Sequence, residues 1–461
     1  MANVAEKELE KIFGSDSSGN TPERRAHTSS RKFVRSQDQI ALFSPEANGR
    51  ILTAYEAYNS FGLDILKEVI EEGSAVIAFN RKEPSQTLRK RREALGLSIE
   101  DIKKYAGLSD SAIKNAEDPT KRSPIRILER LCQVLGLDES VIGFKPGAEG
   151  DFDLALRLKT IMDTGQYHLN PKNVLVLSEA AWVITTQNRL MRWLEINQGE
   201  ARWKSFKADD DYQSFPIYKK GYELARTTRD KLGLGDEPIN SLRDLCNKRL
   251  NIPLIQIELP RRIAGATLAS GKGRGIVVNL QGNNANVWIR RTTISHELGH
   301  LLWDADQRLK KLKVDSYGDL ESMENGDRTE QRANAFAAEF LAPRRAVKRI
   351  FEQKKNLRDI MVHFGISYSV SKNQVCNALN FDPKTKEFAQ IDIMPTQEWQ
   401  IQEEDYLPAK DFPVLKKNFF AGLVAKAQQK GLLTEDSAAQ YLSCTKDDFL
   451  KYRDTFISLL G

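Results

Sequence analysis

Residues 287–303 read VWIRRTTISHELGHLLW, and the HELGH inside them decides how the rest of the chain is read. His296 and His300 are four residues apart, so on a helix they lie one above the other on one face, with both imidazoles able to reach one cation. Glu297 projects from the same turn. In sites of this kind the two histidines bind zinc, the zinc makes a bound water acidic, and the glutamate takes a proton from that water. The resulting chemistry is hydration of a peptide carbonyl, with Glu297 as general base. The chain has only five histidines, and two of them fall at this spacing with the acid in place. Ile294, Leu298, Leu301 and Leu302 give the helix an apolar body to bury, and Gly299 is expected to leave room close to the metal.

A catalytic zinc keeps three protein ligands and an open position, so a third ligand must come from elsewhere. Glu330 is the best candidate, because it opens TEQRANAFAAEFLAP, a helical, Ala-rich segment able to pack closely against the HELGH helix. Asn334 lies one turn later on the same face, placed to hydrogen-bond a ligand histidine. Glu339 competes for the ligand role from about half a turn away, and His363 is a further choice. For the group that stabilises the transition state, Tyr317, His363 and Tyr368 are candidates by sequence proximity alone. Upstream, LNIPLIQIEL (250–259) and GRGIVVNL (273–280) have the β-branched, alternating character of strands. The second could be an edge strand that aligns an extended peptide, or a plain core strand.

Toward the N-terminus, residues 86–137 read as short helices with small breaks: QTLRKRREALGL, SIEDIKKYAGL, SDSAIKNAEDP and SPIRILERLCQVLGL. Ser98 and Ser109 sit where N-caps are wanted, and Gly96 and Gly107 where helices should stop. The middle two helices are thus joined by a very short turn that forces a sharp crossing angle. Residues 14–38 (GSDSSGNTPERRAHTSSRKFVRSQD) have few apolar positions to repay ordering and read as a flexible segment or partner-binding arm. The helical pattern from Leu52, LTAYEAYNSFGLDILKEVIEEG, follows them. Long amphipathic patterns between 143 and 240, LALRLKTIMDTG and VLVLSEAAWVITTQNRLMRWLEI among them, read as a helical connector.

With 461 residues and a 40% hydrophobic fraction, the chain can bury a core in each of two to four domains. No run of about 18 apolar residues is present to span a bilayer, and MANVAEKELEKIF lacks a signal-peptide core, so no membrane partner and a cytoplasmic location are expected. Cys132, Cys246, Cys376 and Cys444 form no CxxC pair, which argues against a thiolate metal site or disulfide framework. The net charge of +6, from 69 basic against 63 acidic residues, permits nucleic-acid contact without requiring it.

From about Ile252 to Pro343 the sequence resembles the ImmA/IrrE metallopeptidase family, in GIVVN, in RTTISHELGH with Arg291 and Thr293, and in E-QRANAFAAEFLAP. The resemblance implies that His296, His300 and Glu330 are zinc ligands and Glu297 is catalytic, as in thermolysin-like peptidases. It implies also that the substrate is a protein, often a transcriptional repressor cleaved in response to stress or DNA damage. LRDIMVHFGISYSVSKNQVCNALNF (357–381) and LVAKAQQKGLLTEDSAAQYLSCTKDDFLKY (423–452) are similar to helical elements that accompany such peptidases, extending the resemblance toward the end of the sequence.

Residues 86–137 resemble the XRE-type, lambda-repressor-like helix-turn-helix, with SDSAIKNAED as recognition helix. That implies double-stranded DNA as a partner, with Ser109, Asp110, Ser111, Lys114 and Asn115 at bases or phosphates, and Arg89, Lys90, Arg91 and Arg92 neutralising phosphates. Ile99 departs from the pattern, standing where a backbone-contacting glutamine is usual, and Asp110 puts an acid on the recognition helix. A protein partner or a homodimer interface is the other use of such helices.

The expected fold is mainly α with a small β-sheet: a helix-turn-helix bundle, a zincin-like α+β metallopeptidase domain and a helical C-terminal region. The expected divisions are an N-terminal extension, partly flexible (1–85), the helix-turn-helix (86–142), a connector (143–240), the peptidase core (241–345) and the C-terminal region (346–461). Two functions compete. One is a zinc endopeptidase with a DNA-binding module that cleaves a partner regulator. The other is a transcriptional regulator or antitoxin whose peptidase fold senses without turnover, and either suits a phage-defence or toxin-antitoxin setting.

Overall fold

The computed structural model of the chain describes residues 2–144, 170–196, 202–211, 213–270, 273–305, 313–316, 328–382, 388–389, 391–404, 413, 416 and 418–460. The chain groups into two compact units, residues 1–198 with 406–461, and residues 199–405. The architecture is mainly helical with two small sheets. The stretch 154–165 (LALRLKTIMDTG) and Tyr317 lie outside the described residues. No helix among the described residues is long and apolar enough to cross a membrane.

The first unit opens with helices α1 (Ala2–Phe13) and α2 (Pro22–Thr28) and strands β1 (Lys32–Arg35), β2 (Gln39–Leu42) and β3 (Arg50–Thr53). Helix α3 (Ala54–Glu72) and strand β4 (Ser74–Val76) follow, and the sheet is antiparallel in the order β3-β1-β2-β4. Thr53 and Glu56 form a reciprocal capping box that starts α3. Residues 14–38, expected as a flexible segment or partner-binding arm, are folded into this layer. Their arginines find partners inside: Arg25 Nε donates to the Gly19 carbonyl at 2.8 Å, and Arg35 donates to the carbonyls of Ser140 at 3.0 Å and Ile142 at 3.2 Å. Composition counted these side chains as solvent-seeking, whereas buried polar groups with hydrogen-bond partners are tolerated.

Helices α4 (Ser85–Ala94), α5 (Ile99–Ala106), α6 (Asp110–Ala116) and α7 (Ile125–Val134) come next, then α8 (Pro171–Trp193). Helix α8, expected as part of a helical connector, is buried over most of its length and carries inward polar groups, so it is a core helix of this unit. Its Glu179 accepts from Tyr105 Oη at 2.8 Å and pairs with Arg130 at 2.5 Å and Lys416 at 3.1 Å. Helices α16 (Phe419–Gln429), α17 (Glu435–Leu442) and α18 (Lys446–Ser458) complete the unit.

The second unit holds a sheet of β5 (Leu254–Ile257), β6 (Ile263–Ser270), β7 (Gly273–Asn279) and β8 (Lys313–Ser316) in the order β5-β7-β6-β8. Strand β7 pairs parallel with β5 and antiparallel with β6. GRGIVVN is therefore an inner strand and not the edge, because the hairpin partner β6 covers one side and the parallel strand β5, reached through a longer connection, covers the other. Helix α9 (Ile217–Leu232) lies along α11 (Arg328–Leu341), and α10 (Val287–Trp303) packs on β6, β7 and α11. Helices α12 (Arg344–Lys354), α13 (Leu357–Phe364), α14 (Tyr368–Leu379) and α15 (Gln397–Glu403) follow. Residues 143–240 thus divide between the units, α8 in the first and α9 in the second, as do residues 346–461.

Ile294, Leu298, Leu301 and Leu302 are buried with Ile276, Val278, Phe336 and Phe340, so the helix buries the apolar body its sequence offers. Glycines set two close approaches on α11. A Cβ at Gly221 would stand 2.3 Å from the Arg332 carbonyl, and one at Gly299 would stand 2.9 Å from the Phe336 ring. The room at Gly299 therefore admits a neighbouring helix rather than a metal.

Candidate metal centre

The Asn286 side chain accepts from Trp288 N at 2.9 Å and caps α10, whose third and fourth turns carry His296, Glu297 and His300. All three are buried. Glu330, in the first turn of α11, faces the histidines, and His296, His300 and Glu330 offer ligand atoms all within 4.8 Å of one another. His296 Nε2 lies 3.1 Å from Glu330 Oε2 and 3.0 Å from His300 Nε2, and His300 Nε2 lies 3.4 Å from Glu330 Oε1. Ligand atoms held tetrahedrally at about 2.0–2.1 Å from one zinc stand roughly 3.3 Å apart, which matches these separations.

The outer ring nitrogens fix what the inner ones can do. His296 Nδ1 meets Asn334 Oδ1 at 2.8 Å, and His300 Nδ1 meets Asp304 Oδ2 at 2.8 Å. Both partners are acceptors, so each neutral ring keeps its proton on Nδ1 and presents a lone pair from Nε2. Two lone pairs and a carboxylate then converge on one point. Three mutually repelling donors in a buried site are what a divalent cation resolves.

Asn334 sits where the helical spacing places it. Asp304 escaped the sequence reading, although it follows His300 by four residues, a spacing that returns it to the same face. Its Oδ1 accepts from Arg332 Nη2. Burial alone would raise the pKa of Asp304, but His300 and Arg332 outweigh that and hold its carboxyl below the ordinary range.

Glu297 is covered by the backbone of β6. A Cβ on Gly265 would stand 2.9 Å from Glu297 Oε1 and 3.1 Å from Thr293 Cγ2, so glycine is required there for the strand to lie over the carboxylate. Thr293 Oγ1 donates to Asn284 Oδ1 at 2.9 Å, and Asn284 Nδ2 donates to the Ala264 carbonyl at 2.8 Å, tying helix to strand beside Glu297. Arg291 is buried and serves the scaffold, donating to the carbonyls of Gly365 at 3.1 Å and Ile239 at 2.6 Å and pairing with Glu403.

The competing candidates are placed elsewhere. Glu339 accepts from Arg344 Nε at 3.0 Å and Gln374 Nε2 at 3.3 Å. His363 is exposed on α13, with its ring against Phe364, and Tyr368 Oη donates to the Phe388 carbonyl at 3.2 Å.

In the first unit the helix-turn-helix has the caps its sequence announces. Ser98 Oγ accepts from Asp101 N at 3.1 Å, Ser109 Oγ accepts from Ala112 N at 3.2 Å, and Gly96 and Gly107 adopt positive φ of 67° and 68°. Ser111 and Lys114 are exposed on α6, which packs on α5 and α7. Ser109 is spent largely on the cap, Asp110 pairs with Lys103 at 3.1 Å, and Asn115 accepts from Lys121 Nζ at 3.1 Å. The basic run is divided by the helical turn. Arg89 and Lys90 face solvent, with Arg89 pairing with Glu93 at 2.9 Å. Arg91 is buried and donates to the Leu135 carbonyl at 3.0 Å, and Arg92 grips both oxygens of Glu117 at 2.7 and 2.8 Å. Arg91 and Arg92 thus hold the bundle together, with their guanidinium groups engaged by the Leu135 carbonyl and Glu117.

Residues 283–380 match the family model of the IrrE N-terminal-like domain of the M78 peptidases, and residues 85–142 match a helix-turn-helix domain model. The chain therefore joins an M78 peptidase-like domain to a helix-turn-helix, and the matched segments make up about a third of it. The first match contains HELGH, Glu330 and Asn334. No curated protein matches the chain.

Proposed function

We propose that the chain is a zinc-dependent endopeptidase that cleaves a regulatory protein, a transcriptional repressor or neighbouring regulator, and that its helix-turn-helix brings it to double-stranded DNA. The observation that carries the peptidase reading is the convergence of two Nε2 lone pairs and the Glu330 carboxylate beside a buried glutamate. His296, His300 and Glu330 hold the zinc, which supplies Lewis acidity to polarise the peptide carbonyl and acidify a water. Glu297 takes a proton as the water oxygen bonds to the carbonyl carbon, and returns it to the amide nitrogen as the C–N bond breaks. Gly265, Thr293 and Asn284 fix the helix against β6 so that this carboxylate keeps its place. Stress, DNA damage or phage infection as the trigger follows from the family resemblance alone. A sensor without turnover needs the ligands but has no use for Glu297. Co-expression with candidate regulators tests the reading: a fragment must appear with the parent chain and be absent with Glu297→Gln, and no fragment from any candidate with zinc bound would turn the reading to the sensor.

For the DNA-binding part, Lys114→Ala and Arg89→Ala are each expected to weaken binding and to lower the slope of log affinity against log salt by about one, as for one lost phosphate contact. Arg92→Ala is expected to act on stability instead, because it breaks the pair with Glu117. A gel-shift titration across salt concentrations checks the first two and thermal unfolding the third, and binding that is absent or indifferent to salt would overturn the assignment.

A further inference from the structure

The two histidines of the centre are held by unlike groups. His296 leans on a neutral amide and His300 on a carboxylate, each at 2.8 Å. That carboxylate is itself clamped. Asp304 Oδ1 accepts from Arg332 Nη2, Arg332 Nη1 donates to the Asp209 carbonyl at 2.6 Å, and Asp209 N donates to the Trp303 carbonyl at 2.9 Å. The contacts close a ring through the end of α10, the segment around Asp209 and α11, so Asp304 cannot swing away without breaking several of them. Helix α11 thereby contributes the Glu330 carboxylate and, through Asn334 and Arg332, the supports of both histidines.

We infer that Asp304, clamped by Arg332, is a positioning residue that orients the His300 ring and strengthens its Nε2 as a donor, and so sets the affinity of the centre for zinc. The inference rests on the reading of His296, His300 and Glu330 as a zinc site. A carboxylate that accepts Nδ1–H draws on that proton and leaves more electron density at Nε2, while also fixing tautomer and ring plane. Arg332 offsets the second negative charge that Asp304 brings beside Glu330, since an uncompensated buried charge is costly.

Zinc affinity, measured by competition with a chromophoric chelator, tests this without any substrate. Asp304→Ala is expected to bind zinc about 10- to 100-fold more weakly than the parent. Asp304→Asn keeps an acceptor oxygen and should recover most of the loss, while Arg332→Met, with Asp304 present but unclamped, should fall between parent and Asp304→Ala. In the cobalt-loaded protein the visible bands of Asp304→Ala should shift, because a loosened ring changes the ligand field. Should Asp304→Ala fail to fold, Arg332→Met carries the test: weaker binding supports the inference, and parental affinity overturns it. Parental affinity and spectrum in Asp304→Ala would likewise overturn it. A parent chain that binds no zinc sinks the peptidase reading itself, whereas zinc binding unmoved by these changes sinks only the role of Asp304.

Discussion

Glu297→Gln is expected to lower the rate of cleavage by about 10²- to 10⁴-fold while zinc stays bound, the loss typical of removing a positioned general base. Glutamine fills the same space beneath Gly265, so the close approach of β6 survives. It cannot take up a proton, and position 297 is not among the three groups whose ligand atoms converge. The check is an initial-rate assay on a cleaved regulator, with zinc measured on the same protein. A glutamine variant that cleaves at the parental rate would remove Glu297 from the chemistry.

Glu403→Ala is expected to destabilise the second unit by about 3–5 kcal/mol, the range for breaking a buried ion pair by removing one partner. Glu403 and Arg291 pair with both side chains 0% exposed, and the Arg291 guanidinium lies 4.4 Å above the Trp399 ring. Glu403 also accepts from the backbone N–H of Leu242 at 2.9 Å and Arg243 at 3.1 Å. Truncation therefore strands a buried cation on the helix that carries HELGH and orphans two N–H groups. Thermal unfolding should show a fall in Tm of roughly 6–20 °C for a unit of this size. Glu403→Gln, which keeps acceptors but no charge, should lie between, and an unchanged Tm for Glu403→Ala would contradict this account of the scaffold.

Local signals carried a good part of the fold and site. The four-residue spacing of His296 and His300, the cap residues Ser98 and Ser109, and the turn glycines Gly96 and Gly107 are all read within one or two helical turns. The structure bears that geometry out because nothing distant competes with it. Glu330 could be preferred over Glu339 by helical phase, and the structure puts the first against the histidines and ties the second to Arg344 and Gln374. What the sequence concealed depends on pairings made far along the chain. The strands β1 to β4 are three or four residues each, too short for an alternating pattern to show. Whether β7 is an edge turns on its parallel pairing with β5, which alternation in β7 itself cannot reveal. Arg91 and Arg92 looked like one basic face until the helical turn sent the first to the Leu135 carbonyl and the second to Glu117. Asp304 was hidden by its place at the helix end, where an acid reads as a terminator and not as the partner of a histidine one turn back.

The most direct test of the central claim is the zinc content of the purified chain beside His296→Ala and Glu330→Gln. The account predicts about one zinc per parent chain, as for a site of three protein ligands, and its loss from both variants with the helical circular dichroism intact. A parent chain that cannot be loaded with zinc, or variants that retain the full complement, would contradict it.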